Sequence, residues 1–302
     1  MNLSALARTA FQTQLERMQL NLEGCIAGVD PIHLHDLRVA NRRTRAALIE
    51  FRNLLPDDVF SKYQESYQWI HQITGPVRDL DVGLSFFPVY EKKIPKSWRP
   101  QLIPARELLE KKRFSAQGDM ASLLRSSKVK DILTTWSAQL EGGVLDGSEY
   151  ALEPAQEYGC RQIIKRYRKT RKFGMELGKK SPAKEFHEFR IRVKNLRYLM
   201  EFFQPVLEEE ETAKLRLELK GVQDALGAYH DAEVQVSNLI RLAGDLQESG
   251  SGVDPILALG QLIGIYEKDI RNSRKNSLRA VRWLTSDSTV REFQSCFKYP
   301  IE

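Results

Sequence analysis

Two stretches of this chain carry one pattern: HDLRVANRRTRAALIEF over residues 35–51 and HEFRIRVKNLRYLMEFF over residues 187–203. Shifted by 152 residues, His35 meets His187, Arg38 meets Arg190, Arg42 meets Lys194, Arg45 meets Arg197 and Phe51 meets Phe203. The shift continues without a gap, pairing Gly75 with Gly227, Asp79 with Asp231, Asp81 with Glu233 and Val82 with Val234. One offset held over so long a span marks an internal duplication. A weaker echo lies near the ends, SSKVKDIL (126–133) against SDSTVREF (286–293), at a slightly different offset.

Within each copy the apolar spacing is helical. Leu37, Ala40, Thr44, Leu48, Phe51 and Leu55 recur at three- and four-residue steps, the spacing of one helix face. Pro56-Asp57-Asp58 breaks that helix. A second helix is predicted over about 59–73 and a third from about Arg78, separated by Thr74-Gly75-Pro76. A loop containing Pro88, Pro95, Pro100 and Pro104 then leads to a long helix from near Ala105. No alternating β-branched run or Asn-Gly hairpin signal occurs. The fold class is therefore all-α, with roughly four helices and some short pieces per copy. Gly142, Gly143, Gly147 and Pro154 mark the link. The halves run over about 1–145 and 155–302, within one domain spanning 1–302.

Composition narrows the class further. A chain of 302 residues, 42% hydrophobic and 28% charged, suits a globular protein rather than a disordered one. No apolar run approaches the ~18–20 residues of a membrane span. The N-terminal MNLSALARTAFQTQLERMQ has polar residues in every turn and no secretory apolar core. A cytoplasmic protein without a membrane role is expected. Cys25, Cys160 and Cys296 are odd in number and far apart, which suits buried structural thiols better than disulfides or zinc.

The net charge of +6 is modest, but its distribution is not. On a helical wheel His35, Arg38, Arg42 and Arg45 fall within about 80° of one another. His187, Arg190, Lys194 and Arg197 repeat that stripe, with Ile191, Tyr198 and Phe202 as an apolar strip beyond it. Like charges at i,i+4 weaken a helix slightly, so a cationic stripe between apolar strips is better explained by an anion than by solubility. Glu201 interrupts the second stripe near its end. From Arg161 to Lys172 seven cations occur without an acid, and Arg161, Lys165, Arg168 and Lys172 share one face. Arg166, Lys169 and Arg171 are expected to face water. Arg271, Arg274, Lys275, Arg279 and Arg282 form a further near-helical series. Several stripes are expected to converge on one groove.

These residues resemble the CHAD family, the conserved histidine α-helical domain. The likeness rests on His35-Asp-Leu-Arg-Val with Arg42 and Arg45, Arg78-Asp-Leu-Asp-Val, His187 with Arg190, Ile191, Lys194 and Arg197-Tyr198, and Leu226-Gly227 followed by Asp231. It implies two tandem four-helix bundles related by pseudo-twofold symmetry, with a basic cavity that binds inorganic polyphosphate. Association with polyphosphate granules is implied in the same way. No ExExK signature of a fused triphosphate-tunnel domain occurs, so a stand-alone member is expected. The chain departs from exact duplication where Arg78 is replaced by His230.

The ligand set implied is therefore His35, Arg38, Arg42, Arg45, Arg161, Lys165, Arg168, Lys172, His187, Arg190, Lys194 and Arg197. Arg offers a planar fork to phosphate oxygens and Lys a mobile point charge. His35 and His187 fit either anion contact or helix bridging. His71 and His230 read as single structural histidines. No nucleophile–base pair, P-loop or HExxH motif occurs, so binding without catalysis and without a cofactor is expected. Asp79, Asp81, Asp231 and Glu233 are expected to orient arginines across the repeat interface. Their alternative role is in a metal-dependent phosphohydrolase or kinase. A nucleic-acid binder is the third class, disfavoured because the stripes lack interleaved aromatics for base stacking.

Overall fold

Gly28, Asp30 and Pro31 set the first basic stretch on its helix. Helix α1 (Leu3–Ala27) ends where Gly28 turns to φ +67° and returns its N–H to the Gly24 carbonyl. The Asp30 carboxylate then accepts from the Ile32 N–H at 2.9 Å, and Pro31 occupies the first turn, which starts α2 (Pro31–Glu50). The computed structural model describes residues 1–298, within which the chain divides into two compact units, the first Met1–Pro154 and the second beginning at Ala155.

After α2 the first unit continues through a 3-10 turn (Arg52–Leu54), α3 (Asp57–Ile73), α4 (Gly75–Ser85), α5 (Phe87–Lys93), a 3-10 segment (Lys96–Leu102), α6 (Ile103–Leu124) and α7 (Ser127–Glu141). Helix α1 packs on α2, α2 on α3 and α4, α4 on α6 and α6 back on α1, closing a ring. At the α1–α7–α3 side, Phe11 meets Trp136 edge-on at 5.1 Å and Tyr63 lies 4.3 Å from Trp136. Phe51 completes this cluster at 6.0 Å from Phe11.

The second unit comprises α8 (Ala155–Met175), α9 (Ala183–Phe203), a 3-10 turn (Gln204–Val206), α10 (Glu209–Glu248), α11 (Val253–Thr285) and α12 (Asp287–Phe297). Here α8, α9, α10 and α11 each pack on the next and α11 returns to α8. Tyr167 stacks on Phe293 at 3.8 Å in its core. Gly159 lets α8 approach α9, because a Cβ there would lie 2.4 Å from the Phe203 ring. Among the described residues there is no strand, only an isolated bridge between Asn2 and Pro154. None of the described helices is long and apolar enough to cross a membrane.

The duplication sets the helix starts. Leu3 and Ala155, Pro31 and Ala183, Arg52 and Gln204, and Asp57 and Glu209 begin equivalent elements 152 residues apart. The copies then diverge. The first unit breaks its helix at Thr74, where the second runs α10 unbroken through Leu226 and Gly227.

Three boundaries differ from the sequence expectation. Helix α4 begins at Gly75 rather than near Arg78, so only Thr74 separates it from α3. The proline-rich stretch forms α5 and a 3-10 segment instead of a loop. Pro76, Pro88 and Pro104 each sit in the first turn of a helix, where proline is tolerated, so they start helices. The link after Glu141 folds onto the first unit: the Leu3 N–H donates to the Glu153 carbonyl, Ser148 Oγ donates to the Asn53 carbonyl and Asp146 pairs with Arg8. Cys25 is buried, whereas Cys160 and Cys296 are half-buried. Burial pushes the Cys25 thiol up to about 12, with Asp36 adding to the shift.

Candidate functional site

In the first unit His35, Arg38, Arg42 and Arg45 rise along α2 as half-buried side chains. Helix α4 adds Arg78. Burial lowers the His35 pKa from its ordinary value, and the Arg78 and Arg42 charges lower it further against the opposing pull of Asp36. The Arg38 guanidinium is held down first by burial and then by Arg42, Arg78 and Arg45, with Asp79 opposing. Burial also lowers Arg45, which lines an open cleft of about 340 Å³ with Ser61, Gln64, Glu65 and Gln68 of α3. These cations are close enough to oppose one another's charge.

Arg38 has a second task. Its Nη1 donates to the His71 carbonyl and to the Thr74 hydroxyl, each at 2.7 Å. The carbonyls at a helix end lack partners within the helix, and Arg38 supplies one at the close of α3. Sequence spacing alone gave no sign of this bond.

In the second unit His187, Arg190, Lys194 and Arg197 are likewise half-buried on α9. Tyr198 and Phe202 beside them are 5% and 6% exposed, and Ile191 is half-buried, so the apolar strip is largely covered. At the position matching Arg78, α10 presents His230. Its Nδ1 lies 3.3 Å from Nδ1 of His187, with ring centroids 4.5 Å apart and planes at 48°. His230 is therefore paired, where the sequence suggested a single histidine. Its signal was present in the 152-residue offset, which sets it opposite a cation of the first copy. Burial lowers the His230 pKa, and Arg190 and His187 lower it further against Asp231.

Arg190 differs from its counterpart Arg38. Gln223 and Leu226 stand where the first copy has His71 and Thr74, and the helix there is unbroken. Among the described residues Arg190 Nε is buried without a hydrogen-bond partner. Arg197 instead lies 3.5 Å from Glu201 on its own helix and 5.7 Å from the Tyr198 ring centroid.

The third stripe is placed differently. On α8 the buried residues include Ile163, Ile164, Tyr167, Thr170 and Gly174, and the stripe of Arg161, Lys165, Arg168 and Lys172 lies on the opposite side of the wheel. Lys165 and Lys172 are exposed, while Arg161 and Arg168 are half-buried, with Arg161 over the Tyr158 ring. Arg171, expected to face water, donates to the Thr285 carbonyl at 3.1 Å and pairs with Asp287. On α11, Arg274 is held by Tyr229 Oη at 2.9 Å and the Lys179 and Ser181 carbonyls, while Arg271, Lys275, Arg279 and Arg282 are exposed.

The carboxylates resolve into separate roles. Asp81 accepts from Arg113 Nε at 2.7 Å, and Arg113 Nη2 donates to the Gly28 carbonyl at 3.0 Å. This orients an arginine within the first unit, where the sequence suggested one across the repeats. Glu233 accepts a hydrogen bond from the Tyr229 hydroxyl. Asp79 and Asp231 are exposed. Among the described residues no three His, Cys, Asp or Glu side chains gather in one place.

No curated protein matches the chain. Among solved structures it is similar to the CHAD domain from the plant Ricinus communis, at 25% identity and a TM-score of 0.73, covering 94% of this chain and 92% of that one. It is also similar in fold to PptA from Streptomyces chartreusis, at 15% identity and a TM-score of 0.68, covering 93% of this chain and 99% of that one. The CHAD domain model matches residues 9–239. The chain belongs to the CHAD-domain family.

Proposed function

We propose that this protein binds inorganic polyphosphate without chemically altering it, through the cationic faces of α2 and α9. The observation that carries this is like charge set against like charge in each unit. Arg78 and Arg42 depress His35, Arg42, Arg78 and Arg45 depress Arg38, and Arg190 and His187 depress His230, in each case after burial. Half-buried like charges raise the free energy of the empty protein, and an anion reverses that sign.

Polyphosphate suits the pattern because its charge repeats along a flexible chain. The stripe from Arg38 to Arg45 spans about 10 Å at 1.5 Å rise per residue, enough for more than one phosphate. Of the four carboxylates a metal-dependent hydrolase or kinase would use, Asp81 and Glu233 are already engaged by Arg113 and Tyr229, while Asp79 and Asp231 are exposed. The cytoplasm, and polyphosphate granules within it, is the proposed setting.

Competition calorimetry tests this function. Long-chain polyphosphate is expected to displace single-stranded RNA of equal charge, and incubation with Mg²⁺ or Mn²⁺ is expected to release no orthophosphate. Preferential retention of RNA would assign the basic faces to nucleic acid. Metal-dependent orthophosphate release would make the protein an enzyme.

A further inference from the structure

We propose that His187, His230 and Arg190 form a proton-loaded phosphate subsite, so that this part of the second unit takes up a phosphate group together with a proton. The inference rests on the polyphosphate reading above and adds to it a pH dependence that the matching position of the first unit lacks.

The geometry gives the pair two states. With Nδ1 atoms 3.3 Å apart, one neutral ring donates to the lone pair of the other, and the pair satisfies itself. Protonating both rings turns each Nδ1 into a donor. Two N–H groups then face one another beside a guanidinium whose Nε has no partner. Within that cluster only an added acceptor, such as a phosphate oxygen, relieves all three groups.

The charges facing His230 settle the direction. Helix α9 brings His187 and Arg190, and α10 itself brings Asp231 as the opposing acid. Helix α11 brings Arg274 to the neighbouring Tyr229 instead, where Lys179 and Ser181 also hold it. Helix α12 meets α10 through Glu292 near Lys214 and Glu218, roughly 18 Å along the helix from His230 at 1.5 Å per residue. The balance near His230 opposes its proton in the empty protein, and a phosphate anion restores it. Affinity therefore falls as pH rises and the occupied site gives up its proton. In the first unit Arg78 occupies the position of His230 and keeps its charge throughout this range.

Calorimetry of the full chain with long-chain polyphosphate at pH 6 and pH 8 tests the subsite, since internal phosphates of the ligand stay ionised at both. The wild type is expected to bind about tenfold more weakly at pH 8, the effect of about one pKa unit. His230→Arg installs the first-unit arrangement and is expected to hold the tighter affinity at both pH values. His230→Gln is expected to stay weak at both. The variants move in opposite directions, so a folding failure in one leaves the other decisive. A wild-type pH ratio retained in either folded variant would overturn the subsite while leaving polyphosphate binding intact. Absence of wild-type binding at both pH values would remove the function itself.

Discussion

Arg38 donates to the Thr74 hydroxyl at 2.7 Å through the same nitrogen that reaches the His71 carbonyl. Among the described residues the Nε of Arg190, its partner in the duplication, has no hydrogen-bond partner, and Leu226 stands in the repeat where Thr74 would. The two arginines occupy one position of the repeat, and the structure divides the labour between them. Arg38 stabilises a helix break in addition to its proposed place in the cationic stripe, whereas Arg190 has only the proposed one. Arg38→Ala should therefore destabilise the chain by about 1.5–3 kcal/mol, the range for hydrogen bonds to charged groups. Arg190→Ala should change stability by less than about 0.5 kcal/mol but weaken polyphosphate binding about tenfold. Urea unfolding and calorimetry on both variants check the contrast, and equal stability losses would contradict it.

Glu201 restrains Arg197 at 3.5 Å. Removing that carboxylate's charge releases the guanidinium to the anion and deletes a like-charge neighbour of the ligand. Glu201→Gln should strengthen polyphosphate binding by several-fold, on the order of 1 kcal/mol. It should also steepen the salt dependence by about one counterion. An unchanged salt slope would mean that Arg197 stays bound to its own helix.

Asp81 and Arg113 form the most buried ion pair of the first unit's site region, with side chains 3% and 22% exposed. Asp81→Asn leaves Arg113 without its countercharge and should destabilise the protein by about 3 kcal/mol, the lower end for a broken buried pair. Polyphosphate affinity of the folded variant should not move, and neither should its response to EDTA. A loss of affinity without loss of stability would place Asp81 in ligand binding.

The helices and their duplication were legible in the sequence because apolar periodicity and a single offset are local signals. They placed helices from near His35 and near His187, and the structure starts both four residues earlier, at Pro31 and Ala183. The prolines at 76, 88 and 104 misled because a proline that ends one helix and a proline that starts the next have the same composition. The stripes on α2 and α9 were legible for the same reason as the helices. Side-chain engagements were not: the Arg38–Thr74 bond joins residues on different helices, and Arg171–Asp287 spans α8 to α12. The His187–His230 pair lay between these cases. Its position was visible in the offset, but its closeness required the packing of α9 on α10.

His35 and His230 also govern stability without ligand. Burial and neighbouring cations hold both below 6.5, their ordinary value in an unfolded chain. As pH falls below 6.5 the unfolded state binds protons first, so stability present above that pH is lost as the solution approaches the folded-state pKa values. The melting temperature should drop between pH 7.5 and pH 5.5. Saturating polyphosphate should reduce the His230 part of the drop by supplying that residue's missing countercharge, and His230→Gln should lessen the drop in the free protein. A free-protein melting temperature that rises over the same interval would contradict the sign.

The cations of α2 and those of α9 are proposed to bind a polymeric anion. Calorimetry with polyphosphate of defined length over a series of salt concentrations tests this proposal most directly, using the wild type and the combined variant Arg42→Ala, Arg45→Ala, Lys194→Ala, Arg197→Ala. With about eight phosphate contacts the wild type should show a log–log salt slope of about −5 to −6, by analogy with single-stranded nucleic acid. The combined variant should lose binding while its circular dichroism stays helical. Undiminished affinity and an unchanged slope in that variant would contradict the account.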